Sequence, residues 1–72
     1  MDMIEREYQL ELERLRTNHP SDEETRKGYE YANERYVAHV SNSLGESGSV
    51  IAHYYGLRQA YRQYAEENNI TL

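Results

Sequence analysis

Apolar residues recur every three or four positions in three stretches of the chain, which is the spacing of one face of an α-helix. These stretches cover about 2–16, 22–44 and 50–68. Their apolar positions are Ile4, Tyr8, Leu12 and Leu15; then Thr25, Tyr29, Ala32, Tyr36, Val40 and Leu44; then Val50, Tyr54, Leu57, Tyr61 and Tyr64. No stretch alternates apolar and polar residues over the length of a strand. The pattern predicts an all-α protein, a single helical domain spanning 1–72.

Local sequence signals predict where these helices begin and end. Pro20 ends the first helix, because the residue before a proline is disfavoured in helical backbone. The run Ser21-Asp22-Glu23-Glu24 forms a capping box, with a serine at the N-cap and a glutamate three residues later. Gly45 suits the left-handed position after the second helix. Ser47 or Ser49 suits the N-cap of the third helix.

Two glycines fall inside the predicted helices. Gly28 and Gly56 each weaken a helix by about 1 kcal/mol relative to alanine. Gly28 has an alternative interpretation, in which the missing side chain permits close packing between helices. For Gly56, the pattern indicates only a weak point inside the third helix.

The small size of the chain predicts self-association. Seventy-two residues form one small domain, and a single core of that size leaves only a few kcal/mol of net stability. Cysteine is absent, so disulfides and thiolate zinc sites are excluded. All eight aromatic residues are tyrosines, whose hydroxyl suits half-wet surfaces better than a dry core. We therefore expect a homo-oligomeric helical bundle in which copies share apolar rings.

The charge and hydropathy of the chain limit the kinds of partner that we expect. The formal net charge is −5 and the mean hydropathy is −1.06. No apolar run approaches the length of a membrane span, and the first residues lack the charged and apolar regions of a secretory signal. We expect a cytoplasmic protein with no membrane partner. Binding to duplex nucleic acid requires a basic surface, so that function is not expected.

Acidic residues cluster in the first two helices. The clusters are Glu5, Glu7, Glu11 and Glu13, and then Asp22, Glu23 and Glu24. The simpler interpretation is that they form solvated helix faces. The alternative is a surface that imitates DNA phosphates and blocks a nucleic-acid enzyme. Six basic residues interrupt the acids within residues 1–44, which argues against that alternative.

The beginning of the third helix is the strongest candidate for a ligand site. A helix N-terminus presents unpaired N–H groups that hold phosphates, and a Gly/Ser segment precedes this one. An aromatic ring and arginines one or two turns further on could stack a base and pair with a phosphate. The candidate residues are Ser47, Ser49, His53, Tyr55, Arg58 and Arg62. In the alternative interpretation the segment is an ordinary turn, and the arginines pair with glutamates of the first two helices.

Adjacent tyrosines on one helix cannot both face the core of a small bundle. At least one of Tyr54 and Tyr55, and one of Tyr29 and Tyr31, must therefore point elsewhere. These rings are the better candidates for contact with a partner or a nucleobase. Catalytic patterns are lacking: Ser49 and His53 could share a helix face but have no oxyanion site. We expect a protein that is not an enzyme and that needs no cofactor or metal.

The layout of residues 18–66 resembles the small helical phage-encoded anti-CBASS proteins that sequester cyclic nucleotides. The resemblance lies in Asn18-His19-Pro20-Ser21-Asp22-Glu23 before a long helix with Tyr29 and Arg35, a turn with Ser47 and Ser49, and a closing helix with Ala52, Leu57 and Ala60. It implies an oligomer that holds a nucleotide signal between subunits. The basic turn of that family is replaced here by Glu46-Ser47-Gly48-Ser49, which removes cations that would contact phosphates.

Two functions follow as hypotheses. In the first, the chain is a phage-type accessory protein that counters host defence by sequestering a nucleotide in an oligomeric helical assembly. In the second, it is a protein–protein inhibitor or adaptor that binds a host protein through acidic and tyrosine-rich helix faces. Nucleotide binding and host-protein binding are therefore the partner classes to separate.

Overall fold

The three predicted helices are present in the computed structural model, which describes residues 2–41 and 48–72. Helix α1 spans Met3–Asn18, α2 spans Asp22–Ser41 and α3 spans Gly48–Glu67. The described residues contain no strand, so the all-α prediction is confirmed. The predicted end of the second helix near Leu44 and the predicted roles of Gly45 and Ser47 lie outside the described residues.

The helix ends follow the local signals that the sequence carries. The carboxylate of Asp2 accepts a hydrogen bond from the Glu5 backbone N–H at 2.8 Å, which caps α1. The capping box of α2 is confirmed, because Ser21 N–H donates to Glu24 Oε1 and Glu24 N–H donates to Ser21 Oγ. Ser49 lies inside α3, which begins at Gly48, so Ser49 is not the N-cap.

Helix α3 lies between the other two helices. It packs against α1 and α2, whereas α1 and α2 do not pack against each other along their described residues. Arg16 pairs with Glu67 and Glu7 with His53, so α1 runs parallel to α3. His39, near the end of α2, stacks on Tyr54 in the first half of α3. Gly28, near the beginning of α2, lies against Tyr61 in the second half of α3, so α2 runs antiparallel to α3. The molecule is a flat layer of 36 × 25 × 15 Å with two broad faces.

The buried core is small and lies mainly between α1 and α3. Its cluster consists of Leu12, Leu15, Ala60, Tyr64, Ala65 and Ile70, with Tyr8 and Tyr61 packed against it. The apolar spacing of α1 predicts Leu12 and Leu15 correctly. The spacing of α3 missed Gly56, Ala60 and Ala65, which are all buried. These small residues are buried because they allow the neighbouring helix backbones to approach, which an apolar periodicity does not register.

The residues after α3 close the end of the layer at which α1 and α3 end and α2 begins. Asn69 has a φ of 57°, and Ile70 N–H donates to Ala65 O at 2.8 Å, which is the Schellman geometry for ending a helix. The motif places Ile70 in the core cluster. The side chain of Arg26 donates to Thr71 O at 2.7 Å. The tail therefore links the α1–α3 core to the beginning of α2.

The exposed area of the chain is close to that of an ordinary monomer of its mass. The chain exposes 4888 Å², whereas globular monomers of 8.6 kDa expose about 4,700 Å². Self-association stays a prediction, and surface area alone does not require it. Among the described residues, no helix combines the length and apolar character of a membrane span.

Candidate tyrosine-lined groove

The structure divides the predicted site residues between two sides of α3. Tyr55 and Arg62 line a groove between α1 and α3, whereas Ser49 and His53 line a separate cavity near the beginning of α3. Arg58 lies towards α2, over the ring of Tyr36. Ser47 is outside the described residues. The predicted residues therefore do not converge on one described cavity.

The larger cavity is a groove of about 430 Å³, called here the α1–α3 groove. It is lined by Ile4, Glu5 and Tyr8 of α1 and by Tyr55, Gln59, Arg62, Gln63 and Glu66 of α3. The two tyrosines belong to different helices, so each wall contributes one aromatic ring. The volume falls within the range of small-molecule binding sites.

The charge of the α1–α3 groove is slightly negative. Glu5 and Glu66 contribute two carboxylates, and Arg62 contributes one guanidinium. Glu5 Oε1 accepts a hydrogen bond from Gln9 Nε2 at 3.0 Å, which helps to hold that carboxylate in place. Arg62 forms no ion pair within the described part of the chain. The groove thus has one cation against two anions, which does not favour a highly charged phosphate ligand.

Gln59, one of the residues that line this groove, carries an unsatisfied acceptor. Its Oε1 atom is buried and accepts no hydrogen bond from residues 2–41 or 48–72. A buried acceptor without a donor costs about 1–3 kcal/mol relative to a satisfied one.

The second cavity, of about 310 Å³, lies near the beginning of α3 on the other side of that helix. It is lined by Met3, Ser49, Val50, His53 and Tyr54. His53 Nδ1 lies 3.3 Å from Glu7 Oε2, so a carboxylate of α1 already faces the imidazole. This arrangement competes with a phosphate for the same side chain.

Tyr54 is the centre of a ring cluster at the α2–α3 contact. His39 stacks on it at 5.3 Å with an interplanar angle of 12°, and His53 and Tyr31 meet it edge-on. A hydrogen bond with Tyr31 and, to a smaller extent, burial raise the pKa of the Tyr54 hydroxyl. Arg35 lies over the Tyr31 ring at 5.4 Å. The rings hold α2 against α3, so most of this cluster has a structural role.

Tyr55 contacts α2 from the opposite face of the layer. Its ring lies 5.3 Å from that of Tyr36, and the Arg58 guanidinium lies 5.4 Å from the same Tyr36 ring. The Arg58 Nε atom is buried without a hydrogen-bond acceptor in the described residues. The expectation that Tyr54 and Tyr55 point in different directions is therefore met. Tyr31 is 51 % exposed, so it is the outward member of the Tyr29–Tyr31 pair.

Sequence reasoning missed five polar or aromatic residues of the α1–α3 groove. They are Glu5, Tyr8, Gln59, Gln63 and Glu66. Gln59, Gln63 and Glu66 recur at intervals of four and three, so they share a face of α3 and could have been grouped. Tyr8 belongs to the apolar positions of α1, and its place beside Tyr55 depends on how α1 packs.

The fold and groove define a small all-α protein with a polar, tyrosine-lined surface groove. Comparison with known proteins finds no family model, no curated protein and no solved structure that matches this chain. The groove and the negative charge of the chain are therefore the features that bear on its function.

Proposed function

We propose that this chain is a small accessory protein that binds a basic partner protein through an acidic, tyrosine-lined face, as an inhibitor or adaptor. The observation that carries the proposal is the α1–α3 groove, where Glu5 and Glu66 accompany Tyr8 and Tyr55. Tyrosine is enriched at protein interfaces, where its ring is buried and its hydroxyl stays hydrated. The net charge of −5 adds long-range attraction for a positively charged surface.

The resemblance to phage anti-defence proteins suggests a partner in the host cytoplasm. The exposed apolar residues Val37 and Val40 of α2 would extend the contact beyond the groove. Binding to a basic partner would counter host defence by blocking that partner or by recruiting it.

The test is capture of bacterial proteins by the tagged chain, followed by titration with the purified partner. The proposal expects saturable binding that weakens as ionic strength rises, because exposed charge pairs are screened by salt. The double variant Glu5→Gln/Glu66→Gln should weaken binding more than Glu30→Gln/Glu34→Gln, which removes the same charge from α2. Equal effects of the two double variants, or no binding by any purified partner, would contradict the proposal.

Nucleotide sequestration in an oligomeric assembly is the second candidate. It is supported by the cavity at the beginning of α3, where Ser49 and His53 lie beside the Tyr54 ring. The helix dipole gives the N-terminus of a helix a partial positive charge, which attracts phosphate. Calorimetric titration with cyclic di- and trinucleotides tests it, and light scattering gives the mass of the assembly. This function expects His53→Gln to weaken nucleotide binding and leave the mass unchanged.

A further inference from the structure

We infer that the α1–α3 groove holds an arginine or lysine side chain of the partner protein, an inference that rests on the proposed function. The cation would lie between the carboxylates of Glu5 and Glu66, with its aliphatic stem against the rings of Tyr8 and Tyr55. The proposed function does not specify which group of the partner enters the groove, and this inference specifies a cationic side chain.

Charge is the first argument for this occupant. Two carboxylates and one guanidinium line the groove, and the chain around it is acidic overall. A cationic guest can pair with Glu5 and Glu66 at once. A phosphate would meet Arg62 alone and would be repelled by both carboxylates.

The aromatic walls are the second argument. Lysine and arginine bury their methylene stems on apolar surface while their charged ends stay hydrated. A cation within about 6 Å of a tyrosine ring gains further electrostatic attraction. Tyr8 and Tyr55 come from different helices and can contact one inserted side chain from two sides.

Arg62 is the group that separates a cationic ligand from an anionic one. Its guanidinium lines the same groove, one turn before Glu66. Removing it should strengthen binding of a cation, because a repulsive charge is lost. The same change should weaken binding of a phosphate, because the attractive charge is lost. One substitution thus moves the two ligand classes in opposite directions.

The experiment is an NMR titration of the full chain with the blocked tripeptides Ala-Arg-Ala, Ala-Lys-Ala and Ala-Gln-Ala, and with adenosine monophosphate. We expect saturable shifts of the groove residues with the two cationic peptides and none with Ala-Gln-Ala. Arg62→Gln should tighten Ala-Arg-Ala binding about two- to fivefold, the effect of one exposed charge pair. Arg6→Gln, which removes an exposed charge that does not line the groove, should change it less. Glu66→Gln should weaken binding by a similar factor, and Glu30→Gln should change it less.

Three results would overturn the inference. They are shifts that do not saturate, equal effects of Arg62→Gln and Arg6→Gln, and tighter binding of adenosine monophosphate than of Ala-Arg-Ala. If one of these results is obtained but a purified basic partner still binds, the proposed function stands, and only the assignment of a cationic side chain to the groove fails. If neither the partner nor the cationic peptides bind, the proposed function fails as well.

Discussion

The ring of Tyr61 in α3 fills the space that a side chain on residue 28 of α2 would occupy. A Cβ atom built on Gly28 would lie 2.4 Å from Tyr61 Cζ. On the other side, Arg14 Nη2 of α1 donates a hydrogen bond to the Tyr61 hydroxyl at 3.3 Å. One side chain of the central helix therefore contacts both outer helices, and burial raises the pKa of its hydroxyl.

Gly28→Ala should destabilise the protein although alanine favours helix formation. The added methyl overlaps the Tyr61 ring, and overpacking of this kind costs about 1–3 kcal/mol. Urea unfolding measures the loss. Gly48→Ala is the control, because a Cβ there meets nothing within 4 Å. In a Tyr61→Ala background the cost of Gly28→Ala should disappear; persistence of the full cost would show that the ring is not its cause.

Gly56→Ala should separate α1 from α3. A Cβ at residue 56 would lie 2.7 Å from Glu7 Cβ and 3.0 Å from the carbonyl oxygen of Ile4. Backbone atoms cannot rotate away, so the helices must shift and lose contacts along their length. We expect a lower melting temperature and faster amide hydrogen exchange in α1. A melting temperature equal to that of Gly48→Ala would contradict the close approach.

Leu15 and Leu10 are a buried and an exposed leucine of the same helix, so substitutions at the two positions test where the core lies. Leu15 is 1 % exposed and Leu10 is 55 % exposed, and both lie in α1. Leu15→Ala should cost about 2–5 kcal/mol in free energy of unfolding, because it removes buried methyl groups and leaves a cavity. Leu10→Ala should stay within about 0.5 kcal/mol of the parent chain. Equal losses for the two variants would place the core elsewhere.

The pairing of Arg16 with Glu67 should make stability depend on acid pH. The bidentate hydrogen bonds from Arg16, together with that from Gln63, lower the pKa of Glu67 to about 2 from its ordinary value of 4.5. Because the folded-state pKa is depressed, the contribution is fully present above about pH 4.5 and is lost as the pH falls towards 2.

Thermal melts between pH 6 and pH 2 measure this contribution. Glu67→Gln removes the titrating group, so its melting temperature should fall less over that range than that of the parent chain. Glu34→Gln, on an exposed face of α2, serves as the control. Parallel pH dependence in all three proteins would show that the pair does not contribute.

The helix ends were predictable because their signals are local. Ser21 and Glu24 satisfy each other's backbone N–H groups within a single turn, so four residues of sequence were enough to place the beginning of α2. Pro20 acts on its immediate neighbour. The third helix, predicted to end at about residue 68, ends at Glu67, and Asn69 adopts the left-handed conformation that closes it.

The interior of the layer was predicted only in part. The spacing of α1 identified Leu12 and Leu15, whose bulk marks them as core. The small residues Gly56 and Ala60 are buried for the opposite reason, since they bring two backbones together. An apolar stripe records size and hydrophobicity, so it does not register positions where a small side chain is required.

The candidate site was the least predictable feature. The sequence grouped His53 with Tyr55 because they lie close along the chain, but they line cavities on opposite sides of α3. Tyr8 lies forty-seven positions before Tyr55 and shares its groove. Which side of a helix becomes a site depends on the helices that flank it, and that information is not local.

Periodicity, capping residues and composition thus determined three helices, most of their ends and an acidic, tyrosine-rich surface, because each depends on residues within a few positions of one another. Only the tertiary structure decided that α3 lies in the middle, parallel to α1 and antiparallel to α2. The physical reason is the close approach of α1 to Gly56 and of Tyr61 to Gly28. Each of these contacts joins residues more than thirty positions apart, and together they form the layer and its groove.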